Sequence, residues 1–313
     1  MSRREETVVP RADPSSYYGR PILKPPAWDW RIPAYLFAGG LSAGSTLLST
    51  GADLTGRPAL RRRGRIAAVA ALGASTYFLV SDLGRPERFH HMLRVAKPTS
   101  PMSVGTWIIA AYSPGIGLAA ASEVLPARWP LTRVLRALAR PAALSSAALA
   151  PALASYTAVL LSQTAVPAWN AAHPYLPSIF AGSAAASSGG LGMVLAPVAQ
   201  AGPARTFAAT GAVAELVASR TMEGRLGLVD EAYATGSAHR LRQWSEYVTV
   251  AGLAGTLLAR RSRVAAVASG LALMAGSVLQ RFGVFAAGVA STRDPRYVVT
   301  PQRERREARG ASA

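Results

Sequence analysis

The chain has 313 residues, half of them hydrophobic and only 16% charged, with no cysteine and a formal net charge of +18. A charged share below the roughly 25% of soluble domains points away from a soluble protein. The missing cysteine excludes a disulfide scaffold, thiol catalysis and a cysteine-ligated iron–sulfur cluster in this chain. The arginines fall between apolar runs and in the two tails, so no soluble basic domain is left to hold nucleic acid. Their pattern instead fits an anionic membrane surface or loops that orient membrane helices.

Met1 to Trp30 is basic and proline-containing without an apolar core, and reads as a tail rather than a signal peptide. Eight apolar runs follow, near 32–52, 66–84, 104–124, 142–165, 178–200, 206–221, 245–259 and 264–287. Crossing a bilayer takes about 20 such residues. The sixth and seventh runs are short, and the sixth contains Glu215. The expectation is an all-α, integral membrane bundle of eight transmembrane helices over 31–290, with an N-terminal tail (1–30) and a C-terminal tail (291–313). That second tail is charged and reads as disordered beyond Gln302. The abundance of Ala, Gly and Ser in the apolar runs suits close helix packing in lipid.

Runs one and two are joined by Arg57, Arg61, Arg62, Arg63 and Arg65. Runs three and four are joined through Arg128, Arg133, Arg136 and Arg140, and seven and eight through Arg260, Arg261 and Arg263. With an even helix count these loops share one side, and dense short arginine loops favour the cytoplasm. Both termini then lie outside, although the basic tails weigh against this. The lipid partner is a bacterial-type inner membrane.

Four blocks stand in order along the sequence. The first is Trp28-Asp29-Trp30 followed by Pro33-Ala34-Tyr35-Leu36-Phe37-Ala38-Gly39-Gly40-Leu41-Ser42-Ala43-Gly44. The second is Asp82-Leu83-Gly84-Arg85-Pro86-Glu87-Arg88-Phe89, and the third is Ser100-Pro101-Met102-Ser103-Val104-Gly105-Thr106-Trp107. The fourth is Tyr156-Thr157-Ala158-Val159-Leu160-Leu161, then Pro167-Ala168-Trp169-Asn170. Together they resemble the NrfD family, the polysulfide-reductase-type membrane subunits of molybdoenzyme complexes. The resemblance implies eight membrane helices and no haem. It also implies a bound menaquinone or ubiquinone near the face where a four-cluster iron–sulfur subunit docks, with a molybdopterin or tungstopterin catalytic subunit beyond it. The membrane subunit would pass electrons between cluster and quinone with proton transfer. A secondary transporter or a purely structural anchor are the alternatives, and no inverted repeat supports the former.

Ionisable residues within membranes are costly and face bundle interiors. By helix count, Asp82, Arg85, Glu215, Arg220, Gln280 and Arg281 fall towards the tail side, with His90, His91 and His239 in its loops. Quinone reduction needs a hydrogen-bond donor at the carbonyl and a proton source. Glu215, Asp82 and Arg281 are therefore the expected catalytic set. Asp82 with Arg85 can equally be a helix-end ion pair. Glu215 can be protonated, paired with Arg281 or part of a proton path. The expected quinone-contacting set is Tyr156, Trp28, Tyr35, His90, His91 and Arg85. For Tyr156 the role is implied by the resemblance, against a packing tyrosine with a satisfied hydroxyl. Asp53 and Glu123 read as partners of Arg57 and Arg128 or as the start of a proton route across the bundle, and Trp28, Trp30, Trp107 and Trp169 read as an interfacial aromatic belt or as groups that stack on the quinone or dock the iron–sulfur subunit.

Overall fold

The computed structural model describes residues 21–311, so positions 1–20 of the expected N-terminal tail and 312–313 lie outside it. The described residues are helical with no strand. Eight helices have 20 residues or more: α1 (Arg31–Leu54), α2 (Pro58–Asp82), α3 (Pro101–Val124), α4 (Pro130–Ser162), α6 (Leu176–Leu195), α7 (Gly202–Met222), α9 (Gly236–Leu258) and α10 (Arg263–Arg293). Short helices α5 (Pro167–Ala171) and α8 (Glu231–Ala234) sit in connections, and α11 (Arg296–Ala311) ends the fold.

Each expected apolar run lies within, or largely within, one long helix. Five of these helices, α2, α3, α4, α6 and α10, are long and apolar enough to cross a membrane among the described residues. The other three fall short for physical reasons. Helix α1 spends its length on Gly, Ser and Thr and is buried on nearly every side. Helices α7 and α9 carry Arg205, Glu215 and Arg220, and Arg240, Arg242 and Glu246, respectively. Arg240 and Arg242 lie in the first turns of α9, at its tail-side end, which is why the sequence pattern started the seventh run nine residues late.

Proline starts α2, α3 and α4, where a missing N–H costs nothing. The turn between α1 and α2 needs Gly56, whose φ of +68° is costly for any side chain with a Cβ. The pairs α1/α2, α3/α4, α6/α7 and α9/α10 pack as antiparallel hairpins. They form two halves that meet where α6 lies on α1 and α4. Only small residues permit this approach: a Cβ on Gly44 of α1 would sit 2.1 Å from Ser188 Oγ and 2.7 Å from the Ala184 carbonyl of α6. Within the second half, α6 and α10 cross backbone to backbone at Gly190 and Gly270.

Cross-element hydrogen bonds fix which helix ends lie together. At one end, the arginine end, Arg263 Nη1 donates to the Met193 and Ala196 carbonyls at 2.8 and 2.7 Å, and Arg63 reaches the Leu195 carbonyl. These arginines satisfy the orphan carbonyls of the α6 C-terminus and complement its dipole. At the opposite, tail end, Arg31 donates to the Ser81 carbonyl, and Tyr233 Oη donates to the Ala168 carbonyl at 3.0 Å.

The C-terminal tail departs from expectation. Helix α10 continues to Arg293, and the segment expected to be disordered forms α11. Its Arg303, Glu304, Arg306 and Glu307 are adequate helix formers, with Arg303 and Glu307 at an i,i+4 spacing.

Candidate functional site

The tail half of the bundle holds a buried charge cluster. Arg281 of α10 is 1% exposed and Glu215 of α7 is 2% exposed. The guanidinium lies over the Phe180 ring of α6, 3.8 Å from its centroid, and Nη2 donates to the Phe180 carbonyl at 2.9 Å. Glycine on α1 makes room for it: a Cβ on Gly40 would stand 3.4 Å from Arg281 Nη2. Glu215 faces Ser183 and feels the Arg281 charge. Their charged atoms are nonetheless beyond ion-pair contact, since no such bridge within 4.0 Å forms between them. Arg281 Nε and Nη1 and Glu215 Oε2 have no hydrogen-bond partner among the described residues. Unsatisfied buried groups of this kind are rare in native proteins and call for an explanation. Gly182 lets α6 meet α7 here, because a Cβ would fall 2.6 Å from the Glu215 amide nitrogen.

A polar cleft of about 280 Å³ runs from Glu215 to the tail surface between α7, α9 and α10. Ser219, Glu223, His239, Arg242, Glu246 and Gln280 line it. Gln280 Nε2 donates to Ser219 Oγ at 3.3 Å, Arg242 Nη2 to Glu223 Oε1 at 2.8 Å, and Arg220 pairs with Glu246. Arg242 escaped the sequence reading because the first turns of α9 are polar enough to resemble a loop, and Glu223 because it stands just past the end of α7. The start of α9 beside the end of α7 is what brings Arg242, Glu246 and Glu223 to the cleft.

Next to this lies an aromatic group from the other expected set. Trp169 is fully buried and donates from Nε1 to the Val284 carbonyl at 2.8 Å. Trp28 stacks on it at 5.8 Å, and Phe285 packs at 5.5 Å. Trp169 is thus a core residue rather than part of an interfacial belt, whereas Trp30 and Trp107 are exposed. Tyr35, Tyr156 and Trp169 belong to one core cluster, with Trp28 packed against it. Tyr156 presses on Gly105 of α3, where a Cβ would fall 2.1 Å from the ring.

The remaining expected residues lie apart from this cluster. Asp82 is half-buried at the end of α2. Arg85, His90 and His91 are exposed in or beside the short 3₁₀ segment Pro86–Leu93, with the two imidazoles edge to face at 4.5 Å. Arg85 pairs with no carboxylate among the described residues, so the expected ion pair with Asp82 does not form. At the arginine end, Asp53 and Glu123 pair with Arg61 and Arg65 rather than with Arg57 and Arg128. Glu123 Oε1 accepts from both guanidiniums at 2.8 and 2.9 Å, and Asp53 does so at 3.3 and 3.2 Å.

The profile of the polysulphide reductase family, NrfD, matches residues 23–223. The protein belongs to the NrfD polysulphide reductase family. It is similar to a polysulfide reductase subunit from Wolinella succinogenes, 30% identical over 182 residues that cover 52% of this sequence and 57% of that one. It is also similar to a selenate reductase subunit from Mesobacillus selenatarsenatis, 39% identical over 89 residues that cover 28% of this sequence and 20% of that protein. The matched part thus spans less than two thirds of either relative. Family and helices together make this NrfD protein a multi-pass membrane protein. The family match covers all four sequence blocks and reaches Glu215, while Arg281 and the polar start of α9 lie beyond it.

Proposed function

We propose that the protein is the membrane anchor and quinone-reactive subunit of a molybdopterin and iron–sulfur oxidoreductase in a bacterial inner membrane, spanning it with all eight long helices. Electrons pass between a four-cluster iron–sulfur partner and menaquinone or ubiquinone, and protons move with them. The tail end, with both termini, faces outward and docks the iron–sulfur subunit. That subunit in turn carries the molybdopterin or tungstopterin subunit. The two relatives are named as parts of polysulfide and selenate reductases, which supports a place in a reductase of this kind. With no cysteine, the protein has no thiolate to hold a cluster, so clusters belong to a partner.

One observation carries the reading: a buried Glu–Arg cluster with unpartnered polar atoms sits at the head of a polar cleft open to the tail surface. A quinone is a two-electron, two-proton carrier whose carbonyls need hydrogen-bond donors. Arg281 has two free donor nitrogens in a site closed to water, where a charged donor is worth more than in bulk solvent. Glu215 holds or yields a proton through its unpartnered Oε2, and the cleft with His239 and Glu246 connects it to the surface. Tyr35, Tyr156 and Trp28 supply the apolar and hydroxyl-bearing wall on the side of the first half, and Asp82, Arg85, His90 and His91 lie near the docking face.

The test is quinone turnover by the purified complex with Glu215→Gln and Arg281→Gln. Loss of a positioned proton group costs roughly 10²-fold or more, so turnover should fall by about that factor while the partner subunits still co-purify. Intact assembly with unchanged turnover in both variants would leave the protein a purely structural anchor.

A further inference from the structure

At the arginine end a second cavity has no part in this chemistry. It is a cleft of about 870 Å³ between the C-terminal end of α1, the first turns of α7 and the last turns of α9. Three arginines form its rim: Arg57, Arg205 and Arg260. No carboxylate is among its lining residues. Arg205 and Arg260 are close enough to repel each other. Arg205 Nη1 donates only to the Val198 carbonyl at 3.2 Å, and Arg57 Nη1 to the Thr55 carbonyl at 3.3 Å. Arg260 is exposed and has no hydrogen bond or ion pair among the described residues. This contrasts with Arg61 and Arg65 at the same end, which are matched by two acids. Beside the rim the walls are apolar, with Leu47, Leu48, Phe207 and Leu257 along the outer face of the bundle.

We propose that this cleft binds an anionic phospholipid, its phosphate held by Arg57, Arg205 and Arg260 and an acyl chain laid along Leu48 and Phe207. Charge selects the headgroup: three guanidiniums line one cleft with no acid among its lining residues, and a phosphate would relieve the repulsion between Arg205 and Arg260 while matching the guanidinium forks in geometry. The apolar walls select a lipid over a free anion, because small phosphates leave that surface unfilled. A quinone headgroup carries no charge and would leave the three cations unmatched. The proposal is independent of the quinone reading, since the two sites lie at opposite ends of the bundle.

The test uses the full-length protein with whatever subunits accompany it, purified in mild detergent. Retained lipid is measured by mass spectrometry, and thermal stability is measured after delipidation with added phosphatidylglycerol, phosphatidylcholine of the same acyl length, or inorganic phosphate. Phosphatidylglycerol should be retained and should raise the unfolding temperature, with the other two near inert. Each arginine is worth about fivefold in anionic-lipid affinity, so Arg57→Gln/Arg205→Gln/Arg260→Gln should lose on the order of 100-fold. Arg260→Gln alone disturbs no hydrogen bond and should lose about fivefold, which keeps the test usable if the triple variant misfolds. The control Arg128→Gln/Arg133→Gln, at the same end but outside the cleft, should retain the lipid. The proposal is overturned by equal loss in that control, by inorganic phosphate or phosphatidylcholine matching phosphatidylglycerol, or by quinone as the retained molecule.

Discussion

Gly288→Ala tests the packing on which the tail end depends. The new Cβ would stand 1.9 Å from Trp169 Cε2 and 2.0 Å from Nε1. The indole cannot easily withdraw: Nε1 is tied to the Val284 carbonyl at 2.8 Å, and the ring is held between Trp28 and Phe285. Overpacking of this kind costs about 1–3 kcal/mol, and loss of the buried hydrogen bond adds about 1 kcal/mol. Better helix propensity returns up to about 1 kcal/mol. The net cost is therefore about 1–4 kcal/mol, or several degrees in unfolding temperature for a domain of this size. Gly117→Ala in α3 is the control, because its Cβ meets nothing within 4 Å and only the propensity gain remains. Thermal unfolding in detergent, followed by tryptophan emission, should show Gly288→Ala destabilised and Gly117→Ala unchanged or slightly stabilised. Equal stability of the two variants, with unshifted emission, would refute the account of Trp169 as a pinned core residue.

Arg65→Gln should destabilise by about 3 kcal/mol, because it leaves two buried carboxylates to Arg61 alone; denaturant or thermal titration reads this directly. Tyr233→Phe removes the bond to the Ala168 carbonyl and should cost about 1 kcal/mol at neutral pH. Burial also holds the Tyr233 phenol above its ordinary value. The unfolded phenol ionises near pH ~10 while the folded one keeps its proton. Its contribution is thus intact below that pH and lost as pH rises further, so the Phe variant should show a shallower alkaline loss of stability. In turnover assays, His239→Gln should slow proton-coupled activity less than Glu215→Gln does, since the cleft offers Glu246 as another polar station.

The eight long helices and the alternation of their ends were legible because apolar runs and arginine clusters repeat along the sequence, while five of those helices are long and apolar enough to cross a membrane among the described residues. The juxtaposition of Glu215 and Arg281 was also legible, since counting helices puts both in the tail half. Pairing was less so. Asp53 stands near Arg57 in sequence, yet α2 turns Arg61 and Arg65 towards the α1 end and towards Glu123 of α3. Trp169 looked interfacial from its position near a helix end. In the fold, the short helix α5 re-enters the bundle against Gly288, a packing no local pattern announces. The cleft beside Glu215 was hidden because the start of α9 reads as polar loop until its helix is placed against α7.

The two buried charge clusters share residue types but differ in how fully they are satisfied. At the arginine end, two guanidiniums meet two carboxylates with four contacts of 2.8–3.3 Å, a set of direct pairs that fixes α1, α2 and α3 together and leaves only Arg65 Nε of its buried atoms unpartnered among the described residues. Such a network is costly to break. At the tail end, Glu215 and Arg281 are more deeply buried but do not touch, and three of their polar atoms go unmet. If both clusters existed only to hold helices together, the second would be expected to close as the first does, because a direct pair would lower its cost. Instead the Arg281 guanidinium lies over the Phe180 ring and donates to the Phe180 carbonyl, while Glu215 faces Ser183. Under the proposed function, this separation leaves a donor and a proton acceptor available to a third chemical group.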